Sequence, residues 1–187
     1  LGYPEPANWS LYPVPDRPTF FIAGLVARFV GTLATINVMM WFGHLLAAAG
    51  FFLAARLLRW SLPWALAGAI LFAYCTHNFR WAGTISLSYT FAWPVALVLF
   101  HWTVGRQPPR GGTQVWRRVA VGCGLVLGLG NPYFTFLAGQ LGGFALLRQR
   151  LHRQVDRARV AALFLAALAA SFIISQAGYF IALFQPH

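Results

Sequence analysis

Seven consecutive residues, His77-Asn78-Phe79-Arg80-Trp81-Ala82-Gly83, set a guanidinium and an imidazole in a short polar turn between two strongly apolar stretches. Buried in hydrocarbon, Arg80 would cost about 2.5–3.5 kcal/mol even on the lenient insertion scale, so the turn belongs against water or an anion at a membrane surface. A phosphate suits it. A second feature of this kind is Asn131-Pro132-Tyr133, where asparagine before proline suits an N-cap and first helical residue. It would aim a helix N-terminus with free N–H groups outward, so Arg80, His77, Asn131 and Tyr133 are candidates for holding a phosphate. The only carboxylates available on that side for acid–base work or metal binding are Glu5 and Asp16. A plainer alternative stands beside this one. Arg80 snorkels to lipid headgroups, Asn-Pro merely caps a helix, and the acids are ordinary members of a solvated loop.

The elements that must position these residues follow from composition. With 59% hydrophobic residues, 9% charged residues and a mean hydropathy of +0.62, the chain of 187 residues has the balance of a polytopic helical membrane protein. At ~20 residues per crossing it has room for about six membrane segments. A formal charge of +11 would suggest nucleic acid in a soluble protein. Here the basic residues, all arginine, cluster in short stretches between apolar runs, so topology accounts for them and no nucleic-acid partner is expected. Cys75 and Cys123 lie in apolar segments without metal-type spacing and are expected to pack as small core residues.

Residues 1–18 hold five prolines and form an extended surface loop. From Thr19 to Trp60 the chain is apolar for twice the length of one span, so it must break, at Gly31-Thr32 or just before Asn37. The later half, Asn37 to Leu58, is expected to span. The earlier half, Phe20 to Leu33, is short and carries Arg28, which favours an interfacial amphipathic helix. His44 lacks a partner at i+3 or i+4 and is expected to be a hydrogen-bonded packing residue. Ser61 suits the N-cap of a segment running to about Thr76, and a third span runs from Ile85 to Val104 with a kink expected at Pro94. Residues 105–118 and 148–159 read as basic loops, and Val160 to Phe184 is a last span.

If Val119–Leu147 were one helix, the two arginine-rich stretches would fall on opposite faces, against the positive-inside tendency. A re-turn at Gly128–Pro132 puts both inside, with Arg56 and Arg59. Residues 1–18, the His77–Gly83 turn and Asn131–Tyr133 then lie outside. The expected architecture is all-α: a polytopic bundle of about six membrane segments plus one interfacial helix, in a single membrane domain spanning 1–187. The N-terminal Leu-Gly-Tyr-Pro-Glu-Pro reads as mid-protein sequence, so a fragment of a longer chain is expected.

No GxSG nucleophile element, HExxH pair or Walker A sequence is present, which removes those hydrolase and nucleotide readings. No acidic residue falls within an expected span, which thins any proton-pathway reading. The order of features, Asn8-Trp9 to Asp16, Asn37, Gly43-His44, His77-Asn-Phe-Arg80, Ser86 to Pro94, and Gly128-Leu-Gly-Asn-Pro-Tyr-Phe134, resembles the membrane core of bacterial GT-C-type glycosyltransferases. The resemblance covers most of the chain through degenerate patterns. It implies transfer of a sugar from a polyprenyl-phosphate carrier to an acceptor at the outer face of the bacterial inner membrane. It further implies a carboxylate in an early outer loop as general base, and basic residues on the carrier phosphate.

Under that resemblance Asp16 is the first candidate for the catalytic base and Glu5 the second. Arg80 and His77, with Asn131 and Tyr133, fall to the carrier phosphate, and a divalent metal requirement is left open. The sequence departs from the family in lacking the membrane helix before that loop and any paired acidic motif around Asp16, which allows the catalytic acid to lie upstream of residue 1. Two other readings remain. A transporter or flippase for a lipid-linked or anionic substrate would also set broken helices and an arginine near an anion. A structural membrane subunit would need none of this chemistry.

Overall fold

Glycine, asparagine and two arginines mark where the helices stop. The computed structural model describes residues 17–75, 87–105 and 112–177, whose regular structure is entirely helical. In order come α1 (Arg17–Val30), α2 (Thr32–Leu57), α3 (Leu62–Ala73), α4 (Leu87–Val104), α5 (Gly112–Leu129), α6 (Pro132–Leu151) and α7 (Val155–Ser175). The long apolar run breaks at Gly31, with φ 80° and ψ 161°, a backbone region open essentially to glycine alone. Ser61 does occupy the N-cap of α3, although its side chain makes no capping bond, and Pro63 lies in the first turn. Pro94 sits inside α4, which continues through it.

Several boundaries differ from expectation. The segment expected to reach Thr76 leaves its helix at Ala73, and the twelve residues of α3 extend only ~18 Å. Where described, the stretches read as basic loops are mostly helix: Trp116, Arg117 and Arg118 lie in α5, Arg148 and Arg150 in α6, Arg157 and Arg159 in α7. Arginine is a good helix former, cations suit a helix C-terminus, and 148–159 contains no glycine or proline to stop the chain. Among the described residues, two helices, α2 and α7, are long and apolar enough to cross a membrane; a bundle of six such spans is not what the helix lengths display. Only 33% of the apolar window of each is buried, whereas the core helix of a water-soluble protein is mostly buried.

Packing is inverted in the same sense. The contacts between helices are made largely by small residues, while Phe29, Leu33, Trp64, Leu71, Phe136 and Ile174 are exposed. The α5–α7 interface is the closest. A Cβ on Gly124 would stand 2.5 Å from the Phe164 carbonyl oxygen and 2.9 Å from the Ala167 Cβ, and one on Gly128 would collide with Ser171 Oγ. Backbones brought this near allow Ser171 Oγ to reach the Gly124 carbonyl at 3.3 Å and Ser175 Oγ the Gly128 carbonyl at 3.5 Å. This is the small-xxx-small packing that holds helices together where no hydrophobic effect acts between them. The stripe Thr135, Ala138, Gly142 and Ala145 is the buried face of α6, with Gly142 against Phe164 and Leu165 of α7. Gly50 of α2 lies hard against the backbone of Phe91 in α4.

Larger side chains lock the end of the bundle where α4 finishes and α5 and α7 begin. Trp102 stacks on Trp116 at 5.0 Å, and Phe100 meets Phe164 edge-on at 5.1 Å. The Arg157 guanidinium lies 5.6 Å above the Trp102 ring and donates to the Gly105 carbonyl, tying α7 to the end of α4. Arg117 pairs with Asp156 at 3.4 Å.

Two turns at this end are built alike. After α2, Arg59 N donates to Arg56 O and Trp60 N to Ala55 O. After α6, Arg153 N donates to Arg150 O and Gln154 N to Gln149 O. Both are Schellman closures, and at the left-handed position where glycine is usual stand Arg59 (φ 68°) and Arg153 (φ 55°).

Candidate functional site

The bundle has one end rich in arginine and an opposite end where, among the described residues, Arg28 beside the Gly31 break is the charge that α1 brings. At that opposite end the described chain also presents Tyr74 and Cys75 after α3, the start of α4, the α5–α6 break and the end of α7. Of the residues expected to carry chemistry there, Glu5, Asp16, His77 and Arg80 lie outside the described residues. Asn131 and Tyr133 lie within them.

The α5–α6 break has a definite construction. Asn131 is the N-cap of α6, with φ −65° and ψ 130°, and its Oδ1 accepts from the Tyr133 N–H at 3.0 Å. Pro132 has no N–H and Thr135 N already bonds the Asn131 carbonyl, so the helix start offers fewer free donors than expected. What remains to Asn131 as a donor is its amide NH2. Thr135 Oγ1 donates to the Leu127 carbonyl at 2.7 Å, which also accepts from the Gly130 N–H at 3.3 Å, so the side chain ties the start of α6 to the end of α5. The Tyr133 side chain is 85% exposed, free to meet whatever lies beyond this end.

Neighbouring helices converge on the same end. Trp93 of α4 meets Phe134 of α6 edge-on at 6.4 Å, which puts the first half of α4 beside the start of α6. His44 Nδ1 lies 2.8 Å from the Met40 carbonyl and its ring stacks on Tyr74 at 5.2 Å, holding the end of α3 against α2. This is the hydrogen-bonded packing role expected of His44. Helix α3 ends at Ala73 and α4 is described from Leu87, both at the end that holds Asn131, and the residues between, which include His77 and Arg80, lie outside the described residues. Helix α1, which Asp16 immediately precedes, packs on α2 and touches α4.

A cavity of about 490 Å³ lies between α2 and α4, with Phe72 near the end of α3 on its wall. Phe51, Leu58, Trp60, Phe72, Trp93 and Leu97 line it, and His101 is at its edge. These walls are apolar from the Phe72 level to the arginine end, a shape for hydrocarbon and not for a polar solute. Among the described residues no three His, Cys, Asp or Glu side chains converge into a metal site.

Gln176 is a participant that the sequence reading passed over. It is 1% exposed, its Nε2 donates to Ser175 Oγ at 3.2 Å, and its Oε1 has no hydrogen-bond partner among the described residues. The signal was present as Ser171-x-x-x-Ser175-Gln176, a polar stripe in an otherwise apolar run. No protein-family model, curated protein or solved structure matches this chain.

Proposed function

We propose that the protein is an integral helical membrane protein with about six membrane segments, its arginine-rich end cytoplasmic. In this reading it is a GT-C-like glycosyltransferase of the bacterial inner membrane, moving a sugar from a polyprenyl-phosphate carrier to an acceptor at the outer face. The observation that carries the reading is the apolar cavity between α2 and α4, with Phe72 of α3 on its wall, because α3 and α4 are the two helices that the Arg80-bearing segment joins. A prenyl chain lying in it would bring its phosphate toward that segment. The exposed apolar exterior and small-residue helix contacts support the membrane placement.

In the proposed reaction Asp16, or failing it Glu5, accepts the proton of the acceptor hydroxyl. The acceptor oxygen bonds to the anomeric carbon, and the bond from that carbon to the phosphate oxygen breaks with its electron pair on the phosphate. Arg80 and His77 stabilise the departing phosphate, helped by the Asn131 amide and Tyr133 hydroxyl. The transporter alternative has one observation of its own: the α5–α6 break is a discontinuous helix pair with a polar start, the form in which transporters hold anionic groups.

The test is sugar transfer from a radiolabelled polyprenyl-phosphate sugar in proteoliposomes. Asp16→Asn is expected to lower turnover by ~100-fold or more while carrier binding persists. Arg80→Ala is expected to weaken both. Full turnover in Asp16→Asn and Glu5→Gln would remove the base assignment, and carrier movement across the bilayer without transfer would establish transport instead.

A further inference from the structure

The α6–α7 turn walls a second cavity, of about 420 Å³, at the arginine-rich end. Its polar lining is Gln149, Arg150, Arg153, Gln154 and Arg159. We propose that this cavity is a phosphate-ester site, and that on the membrane surface its ligand is the headgroup of an anionic phospholipid.

Charge makes the first argument. Three arginines contribute to the wall of one small space, and the sequence holds only three acidic residues, of which the described one, Asp156, is paired with Arg117 at 3.4 Å. An anion relieves the repulsion among those arginines, and arginine's fork of donors matches phosphate oxygens. Backbone geometry makes the second. Arg153 is held at φ 55°, a conformation that glycine adopts freely and arginine does not, and this turn places its side chain on the cavity wall. The start of α7 makes the third. Gln154 is its N-cap without a side-chain capping bond, so the first N–H groups of α7 add positive potential beside the arginines. Gln149, only 3% exposed, brings an amide to the same wall. Val155, Ala158 and Ala162 supply an apolar side along which the glycerol and acyl stem can lie. A basic pocket between helices at the cytoplasmic surface is the arrangement that holds anionic headgroups.

The α2–α3 turn is the internal control. It has the same closure and the same Arg-x-x-Arg spacing, but Arg56 Nη1 is spent on the Trp60 carbonyl at 2.6 Å. The cavity beside this turn is apolar.

The experiment is native mass spectrometry of the purified full chain after exchange into detergent with equal phosphatidylglycerol and phosphatidylcholine. One phosphatidylglycerol is expected to remain bound preferentially. Substituting Arg150→Gln, Arg153→Gln and Arg159→Gln together is expected to lower its retention by roughly 100-fold, three surface guanidinia acting together. The pair Arg56→Gln and Arg59→Gln should leave it unchanged. Arg153→Gly, which keeps the turn, guards against misfolding and should lower retention by about tenfold. Millimolar inorganic phosphate that binds the parent protein but displaces no lipid would reassign the site to a soluble phosphate ester. Equal loss in the triple and the control variants would reduce the effect to general surface charge and overturn the proposal, as would no loss in either.

Discussion

The α2–α3 and α6–α7 turns carry nearly the same residues, Arg56-Leu-Leu-Arg59 and Arg150-Leu-His-Arg153, on the same Schellman backbone. Their surroundings separate them. Behind the first stand Phe51, Phe72 and Trp60, with Phe51 stacked on Phe72 at 5.1 Å and edge-on to Trp60 at 6.0 Å. The second faces Arg159 and the start of α7 across an open basic cavity. An arginine in the left-handed cap position therefore closes a helix in both places, and what packs beside the turn decides whether its charge has anything to hold. Local sequence sets the turn. Tertiary packing sets its use.

The largest way to break the comparison is to detach α7. Gly128→Leu would drive a side chain into Ser171 Oγ and the Leu168 carbonyl, which are backbone and near-backbone atoms unable to move aside. A destabilisation of ~3 kcal/mol or more is expected, measured by reversible unfolding in mixed micelles. Protease cleavage should rise at residues 152–154 and not at 58–61, because the α2–α3 turn does not depend on the α5–α7 contact. Equal cleavage at both turns would show that the bundle opens as one unit.

The glycines involved show how far the sequence was readable. Run length required a break at Gly31-Thr32 or just before Asn37, and it falls at Gly31; Asn-Pro chemistry marked the re-turn, which falls at Gly130-Asn131. Gly128 was legible only as part of a break and Gly124 not at all, because their meaning depends on which helix approaches, and that partner lies some forty residues away. The 148–159 stretch reads as loop if charge is taken as a sign of solvent, while arginine propagates helix well and the chain leaves helix there only for the turn at 152–154. Its single left-handed residue gives no glycine to announce it. Of the expected site, the Asn131 cap was legible because capping is local. Its reduced supply of free N–H groups was not, since that depends on Asn131 turning its own oxygen onto Tyr133.

A gentler perturbation compares the turns directly. Arg59→Gly and Arg153→Gly each replace a strained left-handed residue with the one best suited to it, and each should stabilise the protein by about 1 kcal/mol. If both turns are only caps, the two variants will be indistinguishable in every assay. On the present account their unfolding curves shift alike, and only Arg153→Gly loses anionic lipid. A destabilised Arg59→Gly would mean that its side chain contributes a contact beyond the cap.

Asp156→Asn is the smallest change and the sharpest, because its two expected effects have opposite signs. Asp156 sits in the first turn of α7, where a negative charge favours the helix dipole, and it pairs with Arg117 at 3.4 Å. Both groups are substantially solvent-accessible, so the pair is screened and its loss should cost no more than about 0.5 kcal/mol. Removing this carboxylate also takes away the only acidic side chain among the described residues, three positions from both Arg153 and Arg159 in sequence, and releases Arg117 from its partner. Anionic lipid retention should therefore rise by about fivefold, roughly 1 kcal/mol, while the α2–α3 turn is untouched. Tighter lipid binding by a slightly less stable protein is an outcome that a purely structural Asp156 does not produce. Retention that fell instead would show that the Arg117–Asp156 pair shapes the cavity rather than competing with its ligand.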